Sequence, residues 1–159
     1  MRKAHAIIIG LVASLASAGQ LHADPDRALG VWQGSGTVFS KDGREAAEFT
    51  IELTRTAVDQ RSTETKGNVV LTTGAVIPIF QRTTQSEGGV GFRLESNRGK
   101  GGGYCLGAGL CTSYEDAGNG QAFATTLVLD GPSKMRLLVT ELDHGQAVRF
   151  IRQTLTRKP

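Results

Sequence analysis

Glu45-Ala46-Ala47-Glu48-Phe49-Thr50-Ile51-Glu52-Leu53-Thr54-Arg55 is the stretch that decides the fold class. Phe49, Ile51 and Leu53 fall on one side of an extended chain. Glu48, Thr50, Glu52 and Thr54 fall on the other. Strict alternation of this kind describes a half-buried β-strand of an antiparallel sheet. Upstream, Trp32–Ser40 alternates too, with Trp32, Gly34, Gly36 and Val38 on one face. Lys41-Asp42-Gly43-Arg44 between the two is a hairpin turn of the Asp-Gly kind.

The same pattern recurs downstream. Asn68–Thr73 and Ala75–Thr84 read as strands, with Pro78 predicting an edge or a bulge in the second. Val90–Ser96, Gln121–Asp130, Met135–Leu142 and Ala147–Arg157 follow. Thr56–Lys66 is polar without alternation and reads as a loop, as does Gly-rich Asn97–Gly103. Gln85–Gly89, Asp116–Gly120, Gly131–Lys134 and Asp143–Gln146 read as turns. Phe39, Phe49, Phe80, Phe92, Phe123 and Phe150 each fall on a different strand, which suits one shared interior. Strands this short and this regularly spaced describe a sandwich or a barrel. The fold expected is all-β: an antiparallel up-and-down meander of about 8–10 strands closed into a small barrel, with a β-sandwich as second choice. Closure removes the exposed edges that such a meander would otherwise carry.

Residues 1–23 carry an address rather than structure. Arg2 and Lys3 precede an apolar, small-residue run, and cleavage signals end at Ala18 and at Ala23. The run is too short for a stable membrane anchor, and no lipoprotein cysteine lies near either cut. A bacterial-type signal peptide implies a periplasmic or secreted protein with one barrel domain over 24–159. Cleavage removes two cations and lowers the formal net charge from +3 to about +1,. A near-neutral chain with scattered Lys and Arg gives no electrostatic case for nucleic acid.

Tyr104-Cys105-Leu106-Gly107-Ala108-Gly109-Leu110-Cys111 is nearly palindromic about Ala108. Pairing Leu106 with Leu110 across a Gly-Ala-Gly loop sets Cys105 opposite Cys111. A non-hydrogen-bonded pair there lies close enough for a disulfide, and an oxidising compartment would keep it. Cys-x5-Cys is not the redox spacing.

No catalytic motif emerges. Gly99-Lys100-Gly101-Gly102-Gly103 lacks the order of a phosphate loop. His144 lies in a turn, and Glu45, Glu48 and Glu52 describe a solvated strand rather than an acid/base pair. Once the leader is removed, too few His remain for a multi-His metal site. No enzyme, metal or cofactor is expected.

Gly30-Val31-Trp32 opens the first strand of the mature chain. A Gly-x-Trp at that place in a secreted all-β meander resembles the lipocalin-like (calycin) families. The resemblance implies a barrel whose Trp32 closes one end, with an Arg packed across it; Arg149, Arg152 and Arg157 are the candidates. It also implies a small hydrophobic or amphipathic ligand. Trp32, Phe49, Ile51, Phe92, Phe123, Leu127, Leu137 and Phe150 are the candidate lining or core residues. The alternative is a protein-binding module, such as a periplasmic inhibitor of a secreted hydrolase, acting through the cysteine hairpin or Arg98–Gly103.

Overall fold

The computed structural model describes residues 29–87, 91–106 and 109–159. The signal peptide, both cleavage sites, Val90 and the hairpin-tip Ala108 lie outside the described residues. Ten antiparallel strands follow one another: β1 (Gly30–Ser40), β2 (Glu45–Ala57), β3 (Ser62–Leu71), β4 (Val76–Gln85), β5 (Gly91–Ser96), β6 (Lys100–Leu106), β7 (Leu110–Gly118), β8 (Gln121–Leu129), β9 (Lys134–Asp143) and β10 (Gln146–Arg157). Each pairs with its sequence neighbours, and β1 pairs with β10 to close the barrel.

β2 behaves as its pattern dictates. Phe49, Ile51 and Leu53 are buried while Glu48, Thr50, Glu52 and Thr54 are exposed. Paired residues of adjacent strands share a face, so the interior can be followed in rows around the barrel. One row runs Trp32–Leu53–Gly67–Ile79. A second runs Met135–Leu155–Gly34–Ile51–Val69–Ile77. A third runs from the cysteine pair through Leu127, Leu137, Gln153 and Gly36 to Phe49 and Leu71.

Two inward glycines explain where two Phe rings go. A Cβ on Gly36 would lie 2.0 Å from Phe49 Cζ, and one on Gly103 would lie 2.5 Å from Phe92 Cζ. Each ring lies over the bare backbone of its cross-strand partner, as aromatic residues do when they cover a glycine in a curved sheet.

Several expectations are corrected. Residues 62–66 are strand, not loop: Thr63 and Thr65 pair with Ala57 and Arg55. Their inward side chains are polar, so the hydrophobic alternation that betrays a strand is missing. Residues 100–103 are also strand, paired with β5 and β7; three glycines carry no side chains to alternate. β7 continues through a bulge to Gly118, so the turn shrinks to Asn119-Gly120, both with φ positive. The six Phe do not share one interior. Phe49, Phe92 and Phe123 are in the core, whereas Phe39, Phe80 and Phe150 are not. Phe150 pairs with Phe39 outside the barrel, and Phe80 is exposed. A strand has two faces, and these three occupy the outer one.

Pro78 sits at a local edge within the closed barrel. It pairs with Asn68 of β3, but β5 pairs only with Gln81–Gln85 of β4. Asn97 covers the gap: its side chain donates to the Pro78 carbonyl (2.9 Å) and accepts from Phe80 N–H (3.3 Å). The missing N–H of proline costs nothing at such a place.

Candidate functional site

The interior is not uniformly apolar. Arg55, Thr65, Gln81, Thr83, Ser113, Glu115, Thr125, Glu141 and Gln153 are all buried. Register gathers many of them into two neighbouring rows. One runs Arg55–Thr65–Gln81–Ser96. The next runs Thr63–Thr83–Leu94–Gly101–Glu115–Phe123–Glu141–Arg149. The two rows meet where Ser96 donates its hydroxyl proton to Glu115.

Glu115 anchors this junction. One carboxylate oxygen accepts from Ser96 Oγ and the other from Arg98 Nη2. Ser96 Oγ in turn accepts from Arg98 N–H (2.9 Å) and Gly99 N–H (3.3 Å), which fixes the tight β5–β6 turn. The Arg98 guanidinium lies 4.1 Å from the centroid of the Phe123 ring, a cation–π arrangement strengthened by desolvation. Along the row, Glu141 pairs with Arg149 Nε at 3.2 Å. Burial lowers the Arg98 pKa, opposed by the Glu115 and Glu141 charges. Burial raises the Glu141 pKa, opposed by Arg149 and Arg98. Arg55 donates to Thr63 Oγ1 at 2.7 Å, and burial lowers its pKa to about 10.

Two polar atoms at this junction lack partners. Gln81 Oε1 and Arg98 Nη1 are both buried and neither makes a hydrogen bond. Gln81 pairs with Ser96, and Ser96 binds the carboxylate that holds Arg98. An unmet buried polar atom costs about 1–3 kcal/mol, so two at one place mark a site where an added donor and acceptor would be rewarded. The Asn97 seam lies beside it, since Asn97 is the residue between Ser96 and Arg98.

The sequence-derived candidates divide. Trp32, Phe49, Ile51, Phe92, Phe123, Leu127 and Leu137 are brought together in the core; Phe150 is not. Of the three arginines, only Arg157 shares Trp32's end, directly opposite it in register. Arg149 lies at the far end of β10 with Glu141. Arg152 lies outside, 5.5 Å from the Phe39 ring centroid. Cys105 and Cys111 form a disulfide with Cα atoms 4.0 Å apart. His144 is an exposed turn residue bonded to Asp143 at 2.7 Å. A groove of about 650 Å³ on the outer wall is lined by Gln33, Thr50, Glu52, Asn68 and Thr156 among others. Sequence reasoning missed Arg55, Gln81, Arg98, Glu115 and Glu141 as a set. The signal was parity: Arg55 continues the inward series Phe49, Ile51, Leu53, and Glu141 continues Met135, Leu137, Val139.

The barrel has relatives in fold. An S-type phycobiliprotein lyase from Guillardia theta superposes with a TM-score of 0.66 over 84% of this chain and 90% of its own, at 12% identity. A Nostoc punctiforme protein of the DUF3598 family gives 0.62 over 92% of this chain and 54% of its own, at 13% identity; this chain thus spans about half of that protein. No family model and no curated protein matches the sequence. At such identities the likeness shows the fold alone: a closed antiparallel β-barrel.

Proposed function

We propose that this protein is a periplasmic or secreted lipocalin-like (calycin) barrel that binds a small amphipathic ligand, and that it acts by binding rather than by catalysis. Residues 1–23 serve as its secretory leader. The observation that carries this reading is the pair of unpartnered buried atoms, Gln81 Oε1 and Arg98 Nη1. A barrel that needed only a stable core would gain by filling these rows with apolar side chains. Paired with a guest, the same atoms become a donor and an acceptor for its polar head. The apolar rows then receive its tail.

The packing limits how the guest enters. Trp32, Leu53, Val69, Met135, Val139, Ile151 and Leu155 are fully inaccessible, so no water-sized void adjoins them. The ligand must displace side chains, and the weakest wall is the short β4–β5 seam closed by Asn97. The S-type phycobiliprotein lyase supports the reading as a barrel of the same fold.

The test is fluorescence of Trp32, the chain's single Trp, during titration with fatty acids, fatty amides and apolar dyes. A saturable change with at least one of them, weakened in Arg98→Met and in Gln81→Leu, is expected. No saturable change with any probe would overturn the reading.

A further inference from the structure

The outer wall from β5 to β10 differs from the rest of the surface. Three successive outward rows cross it. The first carries Leu106–Leu110–Val128–Arg136. The second carries Tyr104–Thr112–Thr126–Leu138–Arg152. The third carries Arg93–Gly102–Tyr114–Ala124–Thr140–Phe150. Tyr114, Leu106 and Leu138 are 53%, 59% and 52% exposed. Each row contains an Arg, and none contains a carboxylate. The acids beside these rows are Asp130, from the turn after β8, which pairs with Arg136 (2.5 Å), and Glu95 and Asp116, which share the next outward row with Lys100.

The opposite wall reads otherwise. There the outward rows include Thr37–Glu48 and Gln33–Glu52–Asn68, polar and acidic, beside Thr54–Lys66–Phe80 and Thr56–Glu64–Arg82, which mix charges. The near-neutral total charge therefore hides a segregation. The three rows combine Tyr, Leu and Arg; the outward positions of β2 and β3 carry Glu48, Glu52 and Glu64 against Lys66.

We propose that the β5–β10 wall docks reversibly on an anionic lipid surface. Charge complementarity chooses the occupant: arginines without carboxylates in their rows match lipid phosphates and repel a second copy of the same wall. Shape agrees. The outside of a closed barrel is convex and offers no free strand edge to a peptide, whereas a bilayer interface conforms to it. Tyr rings suit the headgroup level, Leu side chains enter the acyl boundary, and Arg side chains extend their charge to the phosphates. The disulfide holds Leu106 and Leu110 of the β6–β7 hairpin in place beside each other. This docking is independent of what the interior binds.

The experiment is co-sedimentation of the full disulfide-bonded protein with vesicles. Equimolar phosphatidylglycerol–phosphatidylcholine vesicles should pellet it, and pure phosphatidylcholine vesicles should not. Raising salt should release it. Arg93→Gln with Arg152→Gln should lower the affinity by about tenfold or more. Leu106→Ser with Leu138→Ser should lower it several-fold, with the melting transition retained to show that the fold survives. Glu52→Gln, on the opposite wall, should leave binding unchanged. Failure to pellet with anionic vesicles at low salt, equal pelleting with both vesicles, or indifference to both double variants would overturn the proposal. Capture of an acidic protein without vesicle binding would overturn it too.

Discussion

Around Trp32, strand alternation delivers Leu53, Val69, Met135, Ile151 and Leu155, all inaccessible and without a polar side chain to satisfy. Around Ser96, the same alternation delivers Gln81, Glu115 and, farther along the row, Glu141 and Arg149, while the β5–β6 turn adds Arg98. Both regions lie inside one barrel and obey one geometry. They differ in what burial does for them. In the apolar rows, burial stabilises at roughly 25 cal/mol per Å² of apolar surface. In the polar rows, burial costs several kcal/mol per ion, and pairing returns most of it only when every lone pair and proton is met. Here Gln81 Oε1 and Arg98 Nη1 at the junction, and Glu141 Oε2 along the row, make no hydrogen bond. The Trp32 region therefore supplies the stability and the Ser96 region consumes part of it, the pattern expected of a binding site held in a rigid scaffold.

Breaking the apolar region should have the largest effect. Trp32→Ala should destabilise by about 3–5 kcal/mol, read in urea-induced unfolding with far-ultraviolet circular dichroism. Breaking one partner in the polar region should approach the same size for a different reason. Glu115→Leu strands Arg98 in the interior and should cost about 3–5 kcal/mol. The sharper form is the double variant Arg98→Met/Glu115→Leu. It should recover most of that loss while ligand binding stays abolished, so stability and function separate. If the double variant were as unstable as Glu115→Leu, the polar junction would be structural.

The disulfide should matter less. Cys105→Ser with Cys111→Ser should cost roughly 2–3 kcal/mol, because the closed loop is short; denaturant midpoints with and without reductant check it. The smallest effect is a pH signature. Burial raises the folded-state pKa of Glu141, so the neutral acid is the form the fold favours. Its contribution is fully present below the unfolded-state pKa and is lost as pH rises through the raised folded value. Glu141→Gln should remove that loss, so the difference in melting temperature between variant and wild type should grow from acid towards neutral pH. Exposed Asp42, Asp59 and Asp130, whose pKa values are lowered by hydrogen bonds, act in the opposite direction in both proteins and cancel in that difference.

What the sequence shows follows from the same contrast. Phe49–Leu53 and Met135–Val139 announce their strands, because an apolar interior makes alternation visible. The cysteine hairpin was legible from its near-palindrome. Residues 62–66 and 100–103 were not, because Thr63 and Thr65 face inward as polar side chains and Gly101–Gly103 have none. These two silent segments border the polar rows. The site was hidden for the reason that makes it a site: the side chains facing inward there are not hydrophobic. Parity alone could have flagged Arg55, Glu115 and Glu141 as charges on an inward face. Nothing in one chain's sequence could have joined Arg98 to Glu115, which meet through the β5–β6 turn. The outward Phe39, Phe80 and Phe150 show the converse, since an aromatic on a strand does not declare its side unless its neighbours alternate.

Native mass spectrometry of the gently purified protein beside the Arg98→Met/Glu115→Leu variant decides whether the polar junction holds a guest. The wild type should carry an added mass that leaves on mild activation and is missing from the variant. A clean apo mass for both, with no probe binding in the Trp32 titration, would contradict it and leave a filled barrel whose polar interior serves only the fold.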